Sequence, residues 1–159
     1  MTCFTLYHSP IGPLRLTSDG TALTELRILD REPTPTTDQY REDLAIFNSA
    51  KHWLDDYFVG NPREIDFPIA PSGTPFQRRV WELLQTVPYG KATTYGALAG
   101  QLGPKMSAQA VGQAVGKNPI LILIPCHRCL GAGERLTGFS AGLDRKRWLL
   151  CHEGIHFTE

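Results

Sequence analysis

The sequence predicts an α+β protein with an N-terminal sheet domain and a C-terminal helical domain that carries a helix-turn-helix. Three observations carry this expectation. The first third alternates apolar and polar residues in short runs separated by turn residues. A linker-like A-P-S-G at residues 70–73 then interrupts the chain. The second half is written at helical spacing and punctuated by Gly and Pro. The domains are expected at 1–72 and 73–159.

Taken in order, residues 3–7, 14–17 and 22–28 read as three strands, the last two joined through the S-D-G turn at 18–20. Residues 32–37 (EPTPTT) cannot continue a strand or a helix. Ala45, Trp53, Leu54, Tyr57 and Phe58 follow helical spacing up to Gly60-Asn61-Pro62, a helix stop. A short strand at 65–67 is expected to close the first unit. Beyond the linker, Thr74 is a suitable N-cap with Pro75 at the first helical position, and Phe76, Val80, Leu83 and Leu84 form an apolar stripe. Residues 94–102 and 108–116 read as two short helices joined by a tight break, with Ser107 capping the second. This pattern fits a helix-turn-helix or a plain helical hairpin. The run I-L-I-L-I at 120–124 reads as an apolar strand ended by Pro125, a Gly-rich loop covers 131–142, and a last helix covers 144–151.

The chain has 159 residues, 42% hydrophobic and 20% charged, with no apolar run long enough to span a bilayer. The start, MTCFTLYHSPIGPL, has no basic leader before an apolar stretch, so no secretory signal is expected. Four cysteines without that context point to reduced thiols and a cytoplasmic or nuclear setting, with the protein at the nucleoid if bacterial. Zero net charge argues against strong bulk attraction to polyanions, but the charge is uneven. Residues 1–76 carry −5 and residues 77–159 carry +5.

Cys126-His127-Arg128-Cys129 follows the apolar run and admits three chemistries. A dithiol pair fits the C-x-x-C spacing, yet Leu130-Gly131-Ala132-Gly133 cannot readily start the helix such pairs use to lower a thiol pKa. Zinc could draw on Cys126, Cys129, Cys151 and His152, but adjacent residues rarely ligate one tetrahedral ion together. A single nucleophile needs a base and a group to orient that base. His127 and Glu153, in H-E-G after the last helix, could supply them, although sequence distance does not establish contact. An activated thiol is expected to titrate below the free value of about 8.5.

These residues closely resemble the O6-alkylguanine-DNA alkyltransferases, or methylated-DNA–protein-cysteine methyltransferases. The resemblance rests on I-P-C-H-R at 124–128, GTPFQRRVWELLQTVPYGKATTYGALA at 73–99, AVG and GKNP within 110–119, TGFSAGLDRKRWLL at 137–150 and HEG at 152–154. It runs over about residues 70–156, and more loosely over the N-terminal part through SPIGPL. It implies a ribonuclease-H-like N-terminal domain and a winged-helix-like C-terminal one. It also implies single-turnover DNA repair, with Cys126 taking the alkyl group from guanine O6 and the protein consumed. His127 would be the base acting through water, Glu153 its anchor, and Asn118 the hinge beside the active-site strand. Tyr95 would serve guanine N3 and Ser140 would donate to O6. Gly138, Cys129 and Val115 would complete the substrate pocket.

On the same resemblance the helix at 108–116 enters the minor groove of DNA, which favours the helix-turn-helix over the hairpin. Ala108, Ala110, Gly112 and Gln113, with Thr94 and Tyr95, would approach the duplex, and the damaged nucleotide would be flipped out. The implied partner is double-stranded DNA carrying O6-alkylguanine, met by a monomer, with cooperative binding and activity on O4-alkylthymine left open. No cofactor, metal or membrane is expected. Arg128 is expected to pack or pair structurally. Two positions depart from the family's pattern. Gln109 stands where an arginine usually fills the gap left by the flipped base, which predicts weaker duplex binding or slower flipping. Cys129 stands where small or branched apolar residues are commoner. The alternatives are a non-catalytic lesion-binding relative, which would lack the cysteine, and a thiol oxidoreductase using Cys126 and Cys129.

Overall fold

The computed structural model describes residues 2–33 and 40–159. The expected break at 32–37 therefore lies largely outside the described residues. The fold is mixed α+β, and the chain divides into two compact units: Met1–Ser72 with Pro119–Leu121, and Gly73–Asn118 with Ile122–Glu159.

In the first unit, β1 (Cys3–Ser9), β2 (Gly12–Ser18) and β3 (Leu23–Ile28) form an antiparallel sheet in chain order. The β1–β2 turn is S-P-I-G. Ser9 Oγ donates to Gly12 O at 2.6 Å, and Gly12 takes a φ of 113°, which favours a residue without Cβ. The helix α1 (Ala45–Phe58) buries Ile46, Phe47, Ala50, Trp53, Leu54 and Tyr57 on a single stripe. It ends at Gly60, with φ 83°, where Asn61 N–H returns to Asp56 O at 2.9 Å. The expected strand at 65–67 does not form. Among the described residues the nearest pairing is a parallel bridge between Leu23 and Ile69, just beyond it. Pro68 precedes that bridge and lacks the N–H a ladder needs.

The second unit holds α2 (Pro75–Gln85), β4 (Thr93–Thr94), α3 (Tyr95–Leu102), α4 (Ala108–Gly116), β5 (Cys129–Leu130) and α5 (Leu143–His152). Thr74 and Gln77 make a reciprocal capping box at the start of α2, with Pro75 inside it. The hydroxyls of Thr94 and Ser107 accept from Ala97 N and Ala110 N at 3.1 Å, so α3 and α4 each begin at a side-chain cap. These two helices are the helix-turn-helix pair. Buried Trp81 on α2 donates its indole N–H to Ala114 O on α4 at 2.9 Å, which fixes α4 to the core.

The run at 120–124 is not a strand. Ile120 makes one isolated bridge, residues 121–123 turn, and Ile122 adopts a φ of 72°. Every residue from 120 to 130 is buried. The apolar composition reports that burial and not an extended backbone, because a fully buried turn and a fully buried strand share one hydrophobic signature.

Gly73 allows the close approach of Trp81. A Cβ at Gly73 would stand 2.4 Å from Trp81 Cη2. Gly73→Ala is expected to destabilise the protein by about 1–3 kcal/mol through overpacking, read as a lowered denaturant midpoint with unchanged slope.

Candidate active site

The site grows from two consecutive tight turns. Pro125, at φ −81° and ψ 64°, is the centre of an inverse γ-turn closed by Cys126 N–H on Ile124 O at 2.7 Å. A single 3-10 turn, Cys126–Arg128, follows directly. Asn118, just beyond α4, donates its side-chain N–H to the same Ile124 carbonyl at 2.7 Å. One oxygen therefore fixes both the exit from α4 and the position of Cys126. Parallel pairing of Cys129 and Leu130 with Thr93 and Thr94 then ties the chain just after that turn to the start of α3, where Tyr95 stands.

Cys126 lines a pocket of about 260 Å³ together with Tyr95, Gly112, Val115, Gly116, Gly138, Phe139 and Ser140. The sequence pointed to Tyr95, Val115, Gly138 and Ser140 as pocket residues, and to Gly112 as a DNA contact. It did not single out Phe139 or Gly116. Cys129 is fully buried and absent from this lining, a correction to its expected place. It is a residue of β5, and its carbonyl accepts from Lys146. Ala108, Gln109 and Gln113 are exposed on α4, while Ala110 and Thr94 are half-buried and none of the five reaches the pocket.

Behind Cys126 lies a buried charge cluster. His127, wholly buried, approaches Glu153 Oε2 with Nε2 at 2.5 Å. Arg128 donates Nε–H to Oε1 at 2.7 Å and Nη2–H to Oε2 at 3.2 Å, and its Nη1–H satisfies Val87 O at 2.7 Å. Gly90 N–H also donates to Oε1 at 3.1 Å. Burial works to raise the Glu153 carboxyl, but His127 and then Arg128 hold it at about 2. An ionised carboxylate only accepts hydrogen bonds, so His127 Nε2 carries the proton and Nδ1 keeps its lone pair. That Nδ1 is buried and has no hydrogen-bond partner among the described residues. Burial also holds the His127 pKa below its ordinary value, against the pull of Glu153, which keeps the ring neutral.

Glu153 owes its position to helix termination. It is the C-cap of α5, and Gly154 follows with φ 72°. Ile155 N–H returns to Leu150 O at 2.9 Å and Gly154 N–H to Cys151 O at 3.1 Å, while Ile155 and Leu150 pack with Leu130. This is the glycine-terminated helix end that H-E-G encodes.

Two features contradict or extend the sequence reading. Burial pushes the Cys126 thiol up to about 11, against the Asn118 side chain and the Lys146 ammonium, so the resting thiol is protonated and not activated. Lys146 is itself buried. It donates Nζ–H to Cys129 O at 2.7 Å and to Gly138 O at 3.4 Å, bridging the pocket wall to β5. Burial lowers its pKa, and Cys129 and Cys126 counter that. A signal for it existed, since Lys146 shares the stripe of Leu149 and Leu150 at i+3 and i+4. All four cysteines are free, and no cluster of metal-binding side chains occurs among the described residues.

The chain matches two family models: 6-O-methylguanine DNA methyltransferase, ribonuclease-like domain, over residues 3–71, and 6-O-methylguanine DNA methyltransferase, DNA binding domain, over residues 75–155. A Mycobacterium bovis protein named methylated-DNA–protein-cysteine methyltransferase is 46% identical over 142 residues, 89% of this chain and 86% of that protein. One of the same name from Methanosarcina acetivorans is 39% identical over 95% of this chain and 97% of its own length. Among solved structures, the Mycobacterium tuberculosis O6-methylguanine methyltransferase is 44% identical with a TM-score of 0.83, covering 96% of this chain and 93% of that one. The Mycobacterium tuberculosis OGT in complex with DNA is similar at 43% identity and the same TM-score, covering 94% and 91%.

The raised thiol predicts the labelling behaviour of the resting protein. With its pKa moved from 9.0 to about 11, Cys126 holds about 100-fold less thiolate at pH 7.5 than an unshifted thiol. Iodoacetamide should label exposed Cys151 first, with Cys126 labelling rising about tenfold per pH unit between pH 7 and 9, read by peptide mass spectrometry.

Proposed function

The chain belongs to the 6-O-methylguanine DNA methyltransferase family, and from that premise we propose how its residues carry out DNA repair by alkyl transfer. The observation that supports the assignment most is a buried cysteine on a pocket wall, beside a neutral histidine whose tautomer is fixed by an ionised carboxylate.

An O6-alkylguanine flipped from duplex DNA occupies the pocket, with Gly138, Val115 and Gly112 leaving room for the base. The thiol proton of Cys126 passes through one water to Nδ1 of His127. The sulfur attacks the alkyl carbon as the carbon–O6 bond breaks in a single displacement. Proton transfer accompanies attack, because the resting thiol is neutral and a free thiolate would be costly in that burial. Tyr95 donates to guanine N3 and Ser140 to O6, so the leaving base does not depart as a bare anion. The thioether that results is not hydrolysed, and each molecule acts once. Glu153 anchors His127, and Asn118 holds the turn before Cys126. Cys129 plays no part in binding. The protein acts as a monomer in the cytoplasm, where its thiols stay reduced.

The helix α4 presents Ala108, Ala110 and Gly112 to a narrow groove, whose floor small side chains can approach. Gln109 fills the stack behind the flipped base. Glutamine can hydrogen-bond the orphaned cytosine but brings no charge and less reach than arginine.

Incubation with duplex DNA containing O6-methylguanine should add one mass increment of about 14 Da, CH₂ in place of H, to the Cys126 peptide. Tight binding without a mass change would sink the reading. Gln109→Arg should raise the transfer rate on duplex DNA several-fold while leaving the rate with free O6-benzylguanine unchanged, measured by single-turnover kinetics on both substrates.

A further inference from the structure

We propose that Thr137 is the positioning residue that turns the Tyr95 hydroxyl toward the substrate and supports it as its proton is given up. The inference rests on the alkyl-transfer reading of the same site. Tyr95 Oη and Thr137 Oγ1 lie 3.2 Å apart, and either could donate. Tyr95 has one hydroxyl proton. If that proton goes to the base in the pocket, Thr137 must be the donor in the pair, with Tyr95 oxygen accepting. A Tyr95 that instead donated to Thr137 would present only lone pairs to guanine N3, itself an acceptor. The Thr137 rotor therefore decides whether Tyr95 can act.

The geometry holds both partners still. A Cβ on Gly112 would lie 3.6 and 3.7 Å from Tyr95 Cδ1 and Cε1, so the Tyr95 ring lies against the glycine backbone of α4. A Cβ on Gly131 would stand 2.7 Å from Thr137 Cγ2, so the Thr137 methyl occupies the space that glycine leaves. Gly131 is fixed by reciprocal backbone hydrogen bonds with Arg135, at 2.8 and 3.3 Å. A β-branched side chain with its methyl seated has little freedom at χ1, and its hydroxyl stays on Tyr95. Thr137 does not line the pocket, so it acts through Tyr95 and not on the substrate. The electrostatics run the same way. Burial raises the Tyr95 pKa and the Thr137 hydrogen bond opposes that rise, while Cys129 and Cys126 add to it. In the transfer step the proton leaves Tyr95 for guanine N3 as the carbon–O6 bond breaks. The phenolate left behind accepts from Thr137 until the proton held on His127 returns to it through solvent.

The test uses the full-length protein, duplex DNA carrying O6-methylguanine, and three changes: Thr137→Val, Thr137→Ser and Tyr95→Phe. Valine keeps the methyl against Gly131 and removes the hydroxyl; serine keeps the hydroxyl. Thr137→Val should slow single-turnover transfer roughly tenfold, the scale of one hydrogen bond in a transition state. Thr137→Ser should restore most of the rate. In the Tyr95→Phe background Thr137→Val should have no further effect, because the two hydroxyls act as one unit. Iodoacetamide alkylation of Cys126, which needs no acid at a leaving base, should proceed equally in wild type and Thr137→Val. Wild-type rate in Thr137→Val, an equal slowing of both alkylations, a serine variant as slow as valine, or an additive loss in the double variant would each overturn the proposal. Absence of transfer by the wild-type protein would instead overturn the alkyl-transfer reading beneath it.

Discussion

The carboxylate of Glu153 stands at the C-cap of α5, where the last carbonyl oxygens of the helix already present negative charge. It is also buried, which disfavours the ionised form a second time. It remains ionised because N–H groups from two other segments converge on it: one from His127 and two from Arg128 in the 3-10 turn, and one from Gly90. Removing any one of them would leave a buried charge less than fully satisfied, an error that costs more than the hydrogen bond itself contributes. The end of α5, the 3-10 turn and the stretch before β4 are accordingly tied at one point, and the tautomer of His127 follows from it. Arg128 belongs to this arrangement as much as His127 does. It holds the carboxylate with two donors and spends its remaining end on Val87 O.

The parts of the fold that were legible in the sequence are those written in local chemistry. Thr74, Ser107 and the glycine at 60 mark helix ends because capping is an interaction between near neighbours. The three N-terminal strands were readable from alternation. The run at 120–124 was misread because five consecutive apolar residues report burial on every side, and burial does not choose between a strand and a turn. Ile122 at positive φ is the least expected conformation there, since a β-branched residue rarely occupies it. It persists because Ile124 O is clamped by Asn118 and Cys126 N–H, and buried side chains surround it.

The candidate site was legible where its residues fall in one motif and illegible where it is assembled across the chain. Cys126 and His127 are neighbours in sequence, and Glu153 falls in the H-E-G stretch just after the last helix. Lys146, Phe139 and Thr137 fall within the TGFSAGLDRKRWLL stretch, but that stretch does not itself say which of its side chains meet the site. Their roles depend on the loop at 131–142 lying against β5 and α3, and a loop's path is set by contacts more than by spacing. The error over the Cys126 pKa has the same root. Proximity to His127 suggested activation, whereas the dominant effect is the removal of water around the thiol, which sequence adjacency does not reveal.

A protonated, buried thiol suits a protein that reacts once. A cysteine with a depressed pKa would meet every diffusing electrophile and oxidant as a thiolate, and each such encounter would inactivate one molecule without repairing anything. Burial of Cys126 reverses that exposure and leaves little thiolate in the absence of a substrate. The reactivity must then come from the bound state. His127 is neutral with its lone pair free of protein partners among the described residues, so a base is available without being charged beforehand. Tyr95 and Ser140, the donors to the leaving base in the proposed mechanism, line the pocket and are useful only when that pocket is filled. Interactions present in the transition state and absent before it raise the rate of the intended reaction alone. The selectivity of the site thus resides less in how reactive its sulfur is than in how many of its helpers a given electrophile can engage at once.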